Sequence, residues 1–334
     1  MVVVKSSYLY ILDNISGLFI PTKNPMDSEV EGAFTYLEKL IEKCLKNPAT
    51  RPAMFNEGSQ AKEMFTKYRN FDTTLAVVGA ELAHHLYDLK DQYELFTRSD
   101  FFICEIEMMS TEYIVGLEVT CRDAFVHEVK QLEEGVQNNL VLHEAVLPAA
   151  TQRSGRFFML NRDNLKLTIL EDKFKYNGDE QSLFAEDLLA TTTDISIKEA
   201  VYFAREAAET IIEKHELDQL EVIPMFTQEI AQLIQTGADL DFEAVGEKMF
   251  GQEVEIFTDY VGEIQNMGIE KPIVNETGAK VRTPKMQKIK TDTGIEVAFP
   301  FDYYNNRDYL EIVNTPNGRI SIEIKNVGEI TNRE

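Results

Sequence analysis

The sequence predicts an α+β protein. Its N-terminal half is expected to hold an antiparallel sheet with covering helices, and its C-terminal half a helical segment followed by a small β-hairpin region. Three observations carry this prediction. Six short β-rich runs follow one another between Phe101 and Leu170, two amphipathic helical stretches precede them, and an acid-rich helical stretch leads to the hairpin signal Pro316-Asn317-Gly318. At 334 residues the chain exceeds the usual size of one domain. Two are expected: residues 1–180, α+β, and residues 181–334, acidic helices plus C-terminal strands.

MVVVKSSYLYILD alternates as a strand does, and Asn14 and Gly17 fall in its connection to a second run, so residues 3–12 and 17–21 are expected as a hairpin. With no cationic region before a long apolar run, this start is not expected to be a signal peptide. Ser28 and Glu31 have the spacing of a capping box, and Val30, Phe34, Leu37, Ile41 and Cys44 fall on one helical stripe. A second helix is expected after Asp72, burying Leu75, Val78, Leu82, Leu89, Tyr93 and Phe96, with His85 partly buried beside them.

The runs FFICEIEMM, YIVGLEVTC, AFVHEVKQ, NLVLHEAVL, RFFML and LKLTIL are separated by polar or glycine-containing breaks. Consecutive short strands imply an antiparallel sheet, with the two preceding helices over a face. The pattern changes near Asn177-Gly178-Asp179. Helical stripes follow at Ile197, Val201, Ala204, Ala208, Ile211 and His215, then Val222, Phe226 and Ile230, then Phe242 and Val245, then Val254, Phe257, Val261 and Ile264. After Lys271-Pro272 strands return as GIEVAFPF and YLEIVNTPNGRISIEI.

Composition narrows the function. With 44% apolar residues the chain can build real cores, and no apolar run is long enough to span a bilayer, so a cytoplasmic protein is expected. The cysteines Cys44, Cys104 and Cys121 are unclustered and lie in apolar runs, which predicts buried thiols rather than a zinc site. The 57 acidic and 33 basic side chains leave a net charge of −24, which opposes general adhesion to nucleic acid or anionic lipid.

Charge placement says more than the total. Residues 181–276 hold 5 basic and 21 acidic side chains, whereas 277–334 hold 9 and 8. AKVRTPKMQKIKT, residues 279–291, carries Lys280, Arg282, Lys285, Lys288 and Lys290 and contains no acid. Cations without counter-charges repel one another, and a phosphate backbone is the commonest anion to relieve them. These five residues, read as a loop, are the candidate nucleic-acid contacts. Two weaker acid-free windows hold Lys43, Lys46 and Arg51, and Arg153, Arg156 and Arg162. A long chain also has such windows by chance, and an acidic neighbouring subunit is a competing occupant.

No motif of nucleotide binding, zinc proteolysis or serine hydrolysis occurs, so no cofactor is expected. A helix-turn-helix around Gly251 would drive Glu253, Glu255, Asp259 and Glu263 towards phosphates, the wrong sign for a recognition helix. The one enzymatic candidate is Glu128-Val129-Lys130 with Glu118 on the strand before, a pattern by which metal nucleases hold a cation and a water. Alternating Glu and Lys is also an ordinary solvated strand face.

The order of parts resembles the bacterial nucleoid-associated protein family often called YejK or NdpA. The similarity runs along essentially the whole length and is carried by SSYLYILDNISG, FFICEIEMMSTEYIVGLEV and GIEVAFPFDYYNNRDYLEIVNTPNGRISIEI. It implies a cytoplasmic, nucleoid-located protein without established catalysis that binds DNA with little sequence preference. It supplies no residue-level contact. DNA is therefore the first expected partner, with a homodimer doubling the basic segment and nucleoid proteins as further partners. The alternatives are an acidic adaptor that docks on nucleoid proteins without touching DNA, and the metal nuclease.

Overall fold

The structure, a computed structural model, describes residues 1–152, 155–275, 286–300, 303, 306–314, 320–329 and 331. The chain divides into two compact units, one formed by Met1–Ala200 and the other by Val201–Asn275 with the C-terminal residues from Lys280.

The first unit opens with the expected hairpin, β1 (Val2–Asp13) and β2 (Leu18–Ile20). Helix α1 (Ala33–Leu45) follows. It starts after the left-handed Gly32 and not at the Ser28–Glu31 box, so Val30 lies outside it, 57% exposed, while Leu37, Ile41 and Cys44 are buried as the stripe predicts. Strand β3 (Arg51–Phe55) and helix α2 (Gln60–Arg69), which starts at a Ser59 cap, were not anticipated. Helix α3 (Leu75–Gln92) buries Leu75, Val78, Leu82 and Leu89. Phe96 lies beyond its end and is exposed, as is His85.

All six β-rich runs are strands: β4 (Arg98–Met108), β5 (Thr111–Thr120), β6 (Arg122–Leu132), β7 (Gly135–Val146), β8 (Phe157–Asn161) and β9 (Leu167–Leu170). Asn177-Gly178 makes the turn between β10 (Phe174–Tyr176) and β11 (Asp179–Gln181), with φ of 52° and 96°, as a type I′ turn requires. A π-helical turn at Leu183–Leu188 and β12 (Thr191–Thr193) lead into α4 (Ile197–Lys214).

Eight strands form one fully antiparallel sheet in the order β12-β3-β9-β8-β5-β4-β1-β2. Neighbouring inward residues alternate between two cores. Tyr10, Phe101, Ile103, Ile114 and Phe158 pack against α2 and α3, while Val4, Phe102, Cys104, Val115 and Leu117 pack against α1. The two helices expected on one face therefore cover opposite faces. The near-continuous apolar composition of FFIC and IVGL reflects this two-sided burial. Strands β6 and β7 pair only with each other, in a sheet of their own.

The second unit begins in α4, whose buried residues include Ala204, Ala208 and Ile211. Helices α5 (Gln219–Thr236), α6 (Phe242–Phe250) and α7 (Val254–Asn266) follow, each of the last two preceded by an acidic N-cap residue. In α7 the buried stripe is Ile256, Tyr260 and Ile264; Val254, expected inside, is 77% exposed. Two hairpins close the unit: β13 (Met286–Lys290) with β14 (Glu296–Pro300), and β15 (Leu310–Asn314) with β16 (Ile320–Ile324). Phe299 and Leu310 are buried in a small core with Ile289 and Val297. Among the described residues no helix is long and apolar enough to cross a membrane.

Candidate nucleic-acid interface

Of the five predicted contacts, Lys280, Arg282 and Lys285 lie outside the described residues. Lys288 and Lys290 lie on β13, so the end of the segment is a strand and not a loop. Its sequence explains why. In MQKIK Ile289 lies between two flanking lysines and turns towards Phe299, while Lys288 and Lys290 face solvent two residues apart. The register pairs Lys290 with Glu296, and their charged atoms stand 3.5 Å apart with both side chains largely exposed. The segment thus gains one counter-charge from β14 that its own sequence lacks. An exposed cross-strand pair of this kind contributes little stability, about 0–1 kcal/mol, and yields readily to another anion.

The weaker basic windows are occupied from within. Arg51 meets Glu199 at 2.5 Å, Arg162 meets Glu112 at 2.5 Å, and Lys43 donates to the Thr151 carbonyl at 2.6 Å. Arg153 lies outside the described residues. Arg156 is half-buried in an ionic row crossing the α3 face of the sheet. It donates to Glu118 Oε2 at 2.6 Å, and Glu118 Oε1 takes Lys90 Nζ at 2.9 Å and Ser99 Oγ at 2.9 Å. Glu171 closes the row, 3.9 Å from Arg156, and accepts the Phe184 and Ala185 N–H groups, both at 2.8 Å, at the start of the π-helical turn. Burial pushes the Glu118 carboxyl upward, but Lys90 and Arg156 outweigh it and hold the group well below the usual carboxylate range. Glu171 moves the other way, because burial prevails over its hydrogen bonds.

This row gives Glu118 a structural role. Glu118 is wholly buried with both oxygens engaged by cations, whereas Glu128 sits on the exposed β6–β7 hairpin and pairs with Lys130 at 2.9 Å. Adjacent runs in sequence belong to different sheets, so the trio does not gather about a common point. Among the described residues no group of three His, Cys, Asp or Glu side chains could hold a metal ion.

The signal for the ionic row was present but missed. Lys90 follows Leu86 by four residues, on the apolar stripe of its helix, and Arg156 precedes Phe158 and Leu160 at a strand's period of two. A charge on a buried stripe calls for a partner. The rejected helix-turn-helix also has a structural account: Asp259 on α7 is engaged by Lys214 at 2.6 Å and His215 at 2.7 Å, which hold its carboxyl below its ordinary range. All three cysteines are described and none is in a disulfide; Cys44 and Cys104 are buried, and Cys121 is half-buried.

A family model described as nucleoid-associated protein YejK matches residues 14–332. No curated protein matches the chain.

Proposed function

The chain belongs to the family of nucleoid-associated protein YejK, and on that premise we propose that it is a non-catalytic protein of the bacterial nucleoid that binds DNA with little sequence preference. Residues 277–291 carry the contact: Lys280, Arg282 and Lys285 lead into β13, where Lys288 and Lys290 stand on its solvent face. The observation behind this choice is the contrast among the three basic windows. Arg51, Arg156 and Arg162 are already matched by Glu199, Glu118 and Glu112, while Lys290, among the described residues of the last segment, meets Glu296 across an exposed pair. Phosphate is the anion that such a segment recruits, and contacts of this kind carry no base information. Expected partners are DNA, a second copy of the chain and other nucleoid proteins.

A second reading has its own support in the 21 acidic and 5 basic residues of 181–276. That surface suits a basic chromosomal protein, and the chain would then reach the nucleoid as an adaptor. Salt dependence separates the two. In fluorescence anisotropy with labelled duplex DNA, five phosphate contacts give a log–log salt slope of about −4.5, and the variant Lys285→Ala, Lys288→Ala, Lys290→Ala should fall to about −1.8. Unchanged binding in the variant moves the contact elsewhere. Absence of binding by the wild type at low salt leaves the adaptor.

A further inference from the structure

Helix α1 sorts its charges by face. Tyr36, Lys39 and Lys43 follow one another at helical spacing along one side, with Lys46 at the cap, while Glu38 and Glu42 share another side. The acids turn to the edge of the sheet. Glu38 accepts the Val4 N–H at 3.2 Å, and Glu42 accepts the Val2 N–H at 3.4 Å and Lys46 at 3.3 Å. The lysine side turns to residues 147–152, which follow β7. There the Tyr36 hydroxyl donates to the Pro148 carbonyl at 2.8 Å, and Lys43 to the Thr151 carbonyl at 2.6 Å.

A further cation arrives from another element. Arg122, at the start of β6, donates to Gln152 Oε1 at 2.8 Å, one residue from the acceptor of Lys43. Both acceptors are neutral, so these contacts hold the cations in place without offsetting their charge. Lys39, one turn before Lys43, is exposed and has no ionic partner among the described residues. Each of the three cations has a carboxylate as its chain neighbour, and each carboxylate is engaged elsewhere: Glu38 and Glu42 at the sheet edge, and Asp123 by Arg98 at 3.5 Å. The loop itself, LPAATQ, holds no acid. Asp100 on β4 is near enough to act on Tyr36, but it is half-buried and the three cations outnumber it.

We propose that Lys39, Lys43 and Arg122 form a second phosphate-binding surface, on the first unit, which takes the sugar–phosphate backbone of duplex DNA. Like charges gathered on neutral acceptors repel one another, and a polyanion relieves them. The surroundings favour nucleic acid over a protein partner. No large apolar side chain of residues 33–50 or 146–152 is exposed, so the surface lacks the apolar centre on which protein interfaces are built. Contacts to the backbone add hold without adding sequence preference.

This inference rests on the DNA-binding reading above but uses none of its residues, so lysine footprinting separates the two. The full chain is acetylated with and without a saturating short duplex, and mass spectrometry reads each lysine. Lys39 and Lys43 should react several-fold more slowly with DNA bound. Lys62 and Lys67, exposed on α2 across the sheet, should not change. In anisotropy at about 0.1 M salt, the variant Lys39→Ala, Lys43→Ala, Arg122→Ala should bind on the order of 100-fold more weakly. Lys39→Arg, which keeps the charge, should bind as the wild type does. Circular dichroism checks that the triple variant folds; if it does not, the wild-type footprint decides. Protection of Lys39 and Lys43 without Lys288 and Lys290 would support this surface and move the contact out of 277–291. Protection of Lys288 and Lys290 alone would overturn this surface and leave the earlier reading standing. Equal protection of Lys62 and Lys67, no protection at any lysine, or a folded triple variant that binds as tightly as the wild type would also overturn it.

Discussion

Lys90 on α3 and Glu118 on β5 meet at 2.9 Å with essentially no side-chain surface left in water. The contact ties a helix to the middle of the sheet. Arg156 sits directly across from Glu118: the two exchange backbone hydrogen bonds at 2.8 and 3.2 Å as well as their charges. Gathering two cations around one buried carboxylate is tolerable because Ser99 and Glu171 complete the row.

Glu118→Gln should therefore be among the most damaging single changes in the first unit, since it strands the buried Lys90 and the half-buried Arg156. We expect a loss of about 3–5 kcal/mol in urea unfolding at pH 7. The pH dependence has a definite sign. The folded carboxyl titrates below its ordinary 4.5, so its contribution is complete above that value and is lost as pH falls through the folded one. The gap between wild type and variant should close only in strong acid; a gap constant with pH would contradict the ionic account.

Asp100 predicts the reverse. This half-buried carboxyl on β4 is pushed by burial from 3.8 to about 6. The folded state then binds the proton more tightly, so stability falls as pH rises between those values. Asp100→Asn should stabilise the protein by about 2–3 kcal/mol at pH 7 and have little effect near pH 4. Thermal melts at the two pH values measure it, and an equal effect at both would refute it.

Gly116 on β5 lies opposite Phe158 on β8, and a Cβ built there would stand 2.1 Å from the Phe158 ring. That ring packs against Phe65 and Phe184, with centroids 5.8 and 6.0 Å away, so it has nowhere to retreat. Gly116→Ala should cost about 1–3 kcal/mol. Combining it with Phe158→Leu should cost less than the sum of the two single changes, and strict additivity would show that the contact is not the cause.

Much of the fold was legible because period-two alternation and helical stripes are local. The six β-rich runs, the cores of α1 and α3, and the closing hairpins all follow from spacing within each segment. What failed needed distant partners. MQKIK reads as a basic loop until Glu296 and Val297 on β14 supply its ladder. Strand β3 contains Pro52 and is only five residues long, so its alternation is too short to stand out. The stripe of Val30 and the supposed capping box lost to Gly32, whose left-handed backbone starts the helix later. The placement of α1 and α3 on opposite faces depends on sheet order, which no single segment encodes. At the candidate site, charge segregation was visible in the residues, but the neutralisation of Arg51, Arg156 and Arg162 by Glu199, Glu118 and Glu112 came only with the fold.

The strand order also sets a timetable. Strand β3 is made early, yet both its ladder partners come late: β9 begins at Leu167 and β12 at Thr191. At about 5–20 residues per second, the gap between Phe55 and Leu167 is roughly 6–22 s of synthesis during which β3 has no strand to pair with. Strands β1, β4 and β5 can join much sooner, so a nascent chain would zip from one edge of the sheet while the other waits on the ribosome. Met54 and Phe55 would be open to chaperones throughout that interval, and truncations ending before residue 193 should leave that edge incomplete.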